Sequence, residues 1–287
     1  MNDFFTTNTS MNVPLEKKER VLVWHEEFED ANIDFNKWNM HRTMNSVGNI
    51  YENTHKNIRV ENNNLHMQIH RCGDTFSLCE GLTTLDRMFF KYGYLEMRAK
   101  IPFRHCAWPS FWLLGNTKLH NKNIGWFAEI DIFEVFSSED TLSSNLHKWD
   151  ACGHEMLPGE ENNKERGYKF ADTKTLNDEY HIYGYEWDEN EVKFYVDNEC
   201  YYSVPIDKRS DFVSELFPSL DGFHEPLYIS LNNEIFTEKS DWLPEGSAAT
   251  ADDPIPIDYY VDYIRLYQNP EKEEIYLKED IEKAENK

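Results

Sequence analysis

Between positions 129 and 134 the chain reads Glu-Ile-Asp-Ile-Phe-Glu, three carboxylates interleaved with β-forming residues. Acid runs usually sit in turns or on helix faces, but Ile130, Ile132 and Phe133 make this one a strand with its acids on one side. Side chains alternate along a strand with period two, so Glu129 and Asp131 share a face and Glu134 falls one residue out of phase. A single β-bulge between Asp131 and Glu134 restores the phase and turns all three acids to one side. Two carboxylates held close on a rigid sheet suit glycosidic bond cleavage, one as nucleophile or base and one as acid; a retaining pair stands about 5–5.5 Å apart. Asp131, between them, would hydrogen-bond the nucleophile and tune the pair's protonation through like-charge coupling. Two plainer readings of the same residues stand beside this one: an acidic strand facing solvent, and a calcium site. Calcium favours more oxygen ligands, usually on a loop with Gly.

The flanking segments carry side chains that fit a sugar site. Trp108-Pro-Ser-Phe-Trp112, upstream, is either a stacking wall at a cleft floor or ordinary buried core. In Asn145-Leu-His-Lys-Trp149, downstream, Asn145, His147 and Trp149 share one face. A His beside paired carboxylates orients an acid or holds a sugar hydroxyl; the alternative is a structural His at a sheet edge. The other His residues lack metal-ligand spacing: His66 and His70 are four apart, but in a β-like segment, where that spacing builds no shared helix face. Asp262 reads as lying on the face of Ile264 and Leu266, where an inward carboxylate needs a cation or backbone amides.

The elements that must position these residues are strands. From Val21 onward, short alternating segments recur between Asn, Asp, Gly and Pro. Leu95, Met97, Ala99 and Ile101 take one face of a strand; Tyr94, Glu96, Arg98 and Lys100 take the other. Tyr183 to Val204 reads as two successive hairpins, with Asp188-Glu-Asn190 and Asn198-Glu199 as their turns, and Val261 to Tyr267 as a last strand. Residues 148–174 read as a loop-rich interruption. Residues 1–20 read as a loosely attached arm, 21–269 as one all-β domain, and 270–287 as a charged tail or short docked helix with Leu277, Ile281 and Ala284 at helical spacing. The expected architecture is a two-sheet antiparallel sandwich with a concave face, on which an aromatic content of 15% supplies flat platforms for sugar rings.

Composition narrows the partners. The 287 residues carry 53 acids against 29 bases, a net charge of −24, opposite in sign to a phosphate-binding surface. Nucleic acid and anionic membrane are therefore not expected, and a heavily sulfated polymer is disfavoured unless a local basic cleft overrides the global charge. The mean hydropathy of −0.74 and the lack of any long apolar run argue against a membrane-spanning chain. The amino terminus shows neither the basic region nor the apolar stretch of a secretory signal. The expected location is cytoplasmic, or outside the cell if the chain is a processed form. Cys72, Cys79, Cys106, Cys152 and Cys200 are odd in number and irregularly spaced, so free thiols are expected, with a Cys72–Cys79 bridge as the alternative.

Taken with its surroundings, the acid strand resembles that of glycoside hydrolase family 16, whose fold is a concanavalin-like β-jelly roll. Phe28 to Trp38 looks like the family's opening strand and turn, Lys91 to Pro102 like its Tyr-Gly-x-x-Glu-x-Arg strand, and Trp108 to Leu114 like its Trp-Pro-x-Phe-Trp segment. Tyr180 to Tyr202 is similar to its paired strands, and Val261 to Tyr267 to its closing strand. The likeness runs from about Leu22 to Tyr267, and the order and spacing of the motifs are more specific than any of them alone. The six-residue form of the acid motif looks like the bulged branch, with laminarinases, agarases, porphyranases and carrageenases.

The resemblance implies an endo-acting, retaining hydrolase of β-linked glucans or galactans. Glu129 would be the nucleophile, Glu134 the general acid/base and Asp131 the assisting carboxylate. Trp108, Trp112, Arg98, His147 and Trp149 match positions lining the family's cleft, and Asn232 falls where many members place a cleft Asn. No cofactor would join the chemistry. Many members hold a structural calcium on the convex side; Asp262 matches its side-chain ligand, with backbone oxygens near Glu27 as companions. A polysaccharide or oligosaccharide partner and a monomer are expected. After Asn232 the chain reads Asn233-Glu-Ile-Phe-Thr, where the family usually continues with small apolar residues and a Gly-Gly pair. Alternatives are a transglycosylase on the same scaffold and a non-catalytic, lectin-like sugar-binding protein.

Overall fold

A computed structural model describes residues 19–41, 48–115, 124–150, 153–157, 166–173, 176–209, 219–240 and 244–285. The alternating segments form two ten-stranded sheets. In the first, the strands run in the order Glu199–Pro205, Glu191–Val196, His181–Trp187, Gly93–Lys100, Ile257–Gln268, Asn64–Cys72, Thr75–Leu78 and Ile50–Tyr51. In the second, the order is Gly153–Leu157, Thr141–Asp150, Trp126–Glu134, Ala107–Gly115, Leu227–Ile235, Gly81–Thr83 and Asn39–His41. The pairings are antiparallel, except that Ile50–Tyr51 runs parallel to Thr75–Leu78.

The core lies between the sheets, where the period-two pattern of each strand points its apolar half inward. Leu95, Met97 and Ala99 from one sheet and Ala128, Ile130 and Phe133 from the other join one continuous buried cluster. Phe133 meets Tyr183 of the opposite sheet at 4.6 Å between ring centroids. Burial of each such large side chain stabilises the fold by roughly 1.5–3 kcal/mol. The two hairpins expected from Tyr183 to Val204 form as His181–Trp187, Glu191–Val196 and Glu199–Pro205.

The structure departs from the sequence reading in several places. The stretch read as loop-rich contains the strands Gly153–Leu157 and Gly167–Lys169, which both extend Thr141–Asp150. Residues 1–18 of the expected arm lie outside the described residues, whereas Arg20 is pinned by an ion pair to Glu186 at 2.8 Å. Cys72 and Cys79, by contrast, are free thiols as expected. Asp262 does not share the face of Ile264 and Leu266. The register slips between Val261 and Tyr263, so Asp262 is the extra residue of a bulge and points outward between buried Val261 and Ile264.

The charged tail is docked. Ile275–Leu277 adds to the strand Met88–Phe90, and the helix Lys278–Glu285 follows. Leu277 therefore ends a strand and is exposed, while Ile281 is buried with Leu85, Phe89 and Tyr228. Tyr228 lies on the same face of its strand as Ser230 and Asn232, so this small cluster covers one end of the second sheet's outer face. No described helix is long and apolar enough to cross a membrane. Ile281→Asp would place an unpaired charge in this cluster and remove roughly 2–4 kcal/mol of docking energy. Limited proteolysis should then cut within residues 270–285, with only a small loss of thermal stability in the rest of the protein.

Candidate active site

The strand Trp126–Glu134 lies inside the second sheet, between Thr141–Asp150 and Ala107–Gly115. On one side Asp131 opposes Asn145 and Glu134 opposes Ser143, so Ile132 and Phe133 together face the single residue Ser144. On the other side Phe111 opposes Phe133 and Trp112 opposes Asp131, which leaves Ile132 as the extra residue. This is the bulge that the phase of the acids requires. With it, Ala128, Ile130 and Phe133 stay in the core while Glu129, Asp131 and Glu134 emerge together on the outer face.

Each carboxylate is held by an aromatic N–H from a neighbouring strand. The Trp149 indole donates to Glu129 Oε2 at 2.8 Å, and the Trp108 indole to Glu134 Oε1 at 2.9 Å. His147 Nε2 lies 2.7 Å from Asp131 Oδ2. Asp131 was expected to hydrogen-bond the nucleophile, but its bond goes to Glu134, which the bulge turns towards it, and it acts on Glu129 through its charge; the ligand atoms of Glu129, Asp131 and His147 all lie within 4.8 Å of one another. Asp131 and His147 are buried; Glu129 and Glu134 are half-buried.

The electrostatics follow from crowding three acids into a poorly hydrated place. Burial, reinforced by the charge of Asp131, pushes Glu129 up to about 8, against the pull of His147 and the Trp149 indole. Burial raises Asp131 to about 7, while its hydrogen bond with Glu134 pulls it down. Glu134 is pushed well above the ordinary carboxylate range, by burial first and then by the Asp131 charge, and the same hydrogen bond raises it further. The bond thus favours the state in which Glu134 keeps the proton and Asp131 accepts it. Crowding and burial thus keep protons on the cluster into the neutral range, and Glu134, with Asp131 as its acceptor, is the acid placed to hold one for acid-assisted bond cleavage.

The remaining expected residues are placed unequally. Trp112 and Asn232 are joined by an indole-to-Oδ1 bond of 2.9 Å, but both are buried, so Trp112 serves as floor more than as an open stacking platform. Arg98 is not brought to the site. Its strand belongs to the opposite sheet, where the guanidinium pairs with Asp262 and lies 4.5 Å from the centroid of the Tyr180 ring. Calcium was expected on the Asp262 side chain with backbone oxygens near Glu27, and the side chains there are already engaged by cations of the protein itself. The Asp262 carboxylate is engaged by Arg98, both oxygens of Glu27 by Arg265, and neither acid belongs to a group of three close side-chain ligands among the described residues.

Sequence reasoning missed three contributors. Arg166, almost fully buried, donates to Asn145 Oδ1 at 2.6 Å. Phe236 stacks on Trp108 at 4.8 Å with an interplanar angle of 9°. Gly81 abuts Asn232: a Cβ there would stand 2.6 Å from Asn232 Nδ2. A strand glycine beside a polar residue was one sequence-level signal, and Phe236 lies in the Asn233-to-Thr237 stretch that departs from the family pattern, whereas Arg166 lies in a segment with no periodicity to read.

Residues 22–269 match the family model described as the glycoside hydrolase family 16 domain of β-porphyranases A–D. The chain belongs to glycoside hydrolase family 16. As a family 16 glycoside hydrolase it is 26% identical over 276 residues to glucan endo-1,3-beta-glucosidase A1 of Niallia circulans, a match covering 86% of this chain and 38% of that protein. It is 25% identical over 262 residues to a beta-glucanase of Rhodothermus marinus, covering 86% of this chain and 85% of that protein. Among solved structures, the laminarinase catalytic domain of Thermotoga maritima MSB8 superposes with a TM-score of 0.64 at 26% identity, over 88% of this chain and 99% of that one. The two-sheet jelly roll is thus shared across the family 16 domain.

A glutamate titrating near 8 binds its proton in the folded chain through a range where the unfolded chain, at the ordinary 4.5, has lost it. Stability therefore falls as pH rises across that window. Glu129→Gln should raise the melting temperature by several degrees at about pH 9 and leave it nearly unchanged at about pH 4. Thermal denaturation at the two pH values measures this directly.

Proposed function

We propose that this family 16 hydrolase is a retaining, endo-acting β-glycosidase that cleaves a β-linked galactan or β-1,3-glucan chain by double displacement. The observation that carries the proposal is the convergence of Glu129, Asp131 and Glu134 on one face, each fixed by a separate N–H donor. Asp131 hydrogen-bonds Glu134 and lies within 4.8 Å of Glu129 through its ligand atom, so the three acids form one coupled cluster.

In the first step Glu129 attacks the anomeric carbon and Glu134 protonates the departing oxygen, giving a glycosyl-enzyme. Once that proton has left, Glu134 takes one from water, whose oxygen attacks the anomeric carbon and frees Glu129. Asp131, hydrogen-bonded by His147, stabilises the protonated form of Glu134 before the first step. The Trp149 indole orients Glu129 and favours its ionised form. The substrate class rests on the family model, described for β-porphyranases, together with relatives named as β-glucan hydrolases. The net charge of −24 favours neutral stretches of such polymers.

Incubation with laminarin, mixed-linkage glucan, agarose, porphyran and carrageenan, with oligosaccharides read by mass, should give internal cleavage of one class, and proton NMR should show the β-anomer first. Binding without cleavage, or an α-anomer first, would overturn the proposal. Glu129→Gln should lower kcat by about 10⁴-fold or more, on the scale of losing an essential nucleophile. Asp131→Asn removes a negative neighbour that raises Glu134, so the alkaline limb of the kcat profile should move to lower pH.

A further inference from the structure

The bulge that gathers the acids leaves a carbonyl to account for. Ser144 faces two residues instead of one, and its hydroxyl donates to the Ile132 backbone oxygen at 2.7 Å. Ser144 is fully buried, so this oxygen has no easy recourse to water. The only proton of the Ser144 hydroxyl is spent on that bond. The Tyr201 hydroxyl, 2.5 Å from Ser144 Oγ, must therefore be the donor in its own contact.

Tyr201 comes from the opposite sheet and is itself displaced from regular pairing. Phe194 opposes Tyr202 and Tyr195 opposes Cys200, which makes Tyr201 the extra residue of a second bulge. Two bulges, one in each sheet, thus meet through a directed chain from the Tyr201 hydroxyl to the Ser144 hydroxyl to the Ile132 carbonyl. Tyr201 is steadied by packing on Tyr168, at 5.3 Å between centroids, and its phenol is held well above its ordinary range by burial, so it stays a donor.

We propose that Ser144 and Tyr201 are positioning residues for Glu134, fixing the bulge that brings its carboxylate against Asp131. Neither touches the reacting face: Ser144 lies between Ser143 and Asn145 and turns its side chain into the core. They act through backbone. Without the clamp the Ile132 peptide is free to rotate, and the contact between Asp131 and Glu134 loosens. This inference rests on the proposed role of Glu134 as acid, and a displacement of about 1 Å at such a group is enough to cost on the order of 100-fold in rate.

The test uses the full chain with Ser144→Ala, Tyr201→Phe, the double variant and Ser144→Thr. Ser144→Ala should lower kcat about 10–100-fold with KM within about twofold, Tyr201→Phe by less, and the double variant no further than Ser144→Ala. Ser144→Thr, which keeps the hydroxyl, should recover most of the rate. Carbon-13 carboxyl NMR, with Glu134→Gln to assign the resonance, should show Glu134 titrating at lower pH in Ser144→Ala than in the wild type. An unshifted Glu134 titration together with an unchanged kcat, at any melting temperature, would overturn the inference and leave the clamp purely structural. The titration needs no substrate, so failure of the wild type to cleave any polymer would count against the hydrolase reading alone.

Discussion

Three like charges forced onto one face of one strand set the terms for everything around them. At about 4 Å, two full charges in a half-dry protein environment repel by roughly 4 kcal/mol, more than a domain can ignore. The repulsion is relieved in two ways. Protons are retained where solution carboxylates would lose them, and the carboxyl oxygens receive directed hydrogen bonds from Trp108, His147 and Trp149. Those donors sit on the neighbouring strands at register positions fixed by the bulge, so the strand geometry and the charge state cannot be separated.

A second layer fixes the first. Phe236 backs the Trp108 ring, Arg166 holds Asn145 opposite Asp131, and Gly81 leaves space for Asn232 beneath Trp112. The other sheet plays a different part. Its outward face spends its charges on itself, with Arg98 on Asp262 and Arg265 on Glu27, while its inward face supplies the core against which the acid strand is pressed. A site with raised carboxylates gives up stability at neutral pH, and that core is what offsets the loss.

Much of this was legible in the chain because period two is a strong signal. The phase error between Asp131 and Glu134 announced a bulge, and alternation through Leu95, Met97 and Ala99 announced a core-facing strand. Legibility failed where a side chain's address depends on topology. Arg98 matched a motif near other cleft motifs, but sequence proximity does not say which of two sheets a strand joins. Asp262 was misplaced for a related reason: its bulge carries no charged partner in phase to reveal it, so strict alternation put the carboxylate indoors. In the tail the docked helix forms with Ile281 buried, and only Leu277, which fits the same helical spacing, ends a strand instead.

The pairing of indole nitrogens with Glu129 and Glu134 has an optical consequence. Trp108 and Trp149 each carry a carboxylate against the ring N–H, and indole emission responds to a charge placed there. The protonation state of either acid is therefore written into the near-ultraviolet emission of its own partner ring. Six other tryptophans contribute background, but among them Trp38 and Trp187 are fully buried and bonded to Glu26 and to the Phe223 carbonyl, away from the three acids. The molecule thus carries two intrinsic chromophores wired to the first and last acids of the strand.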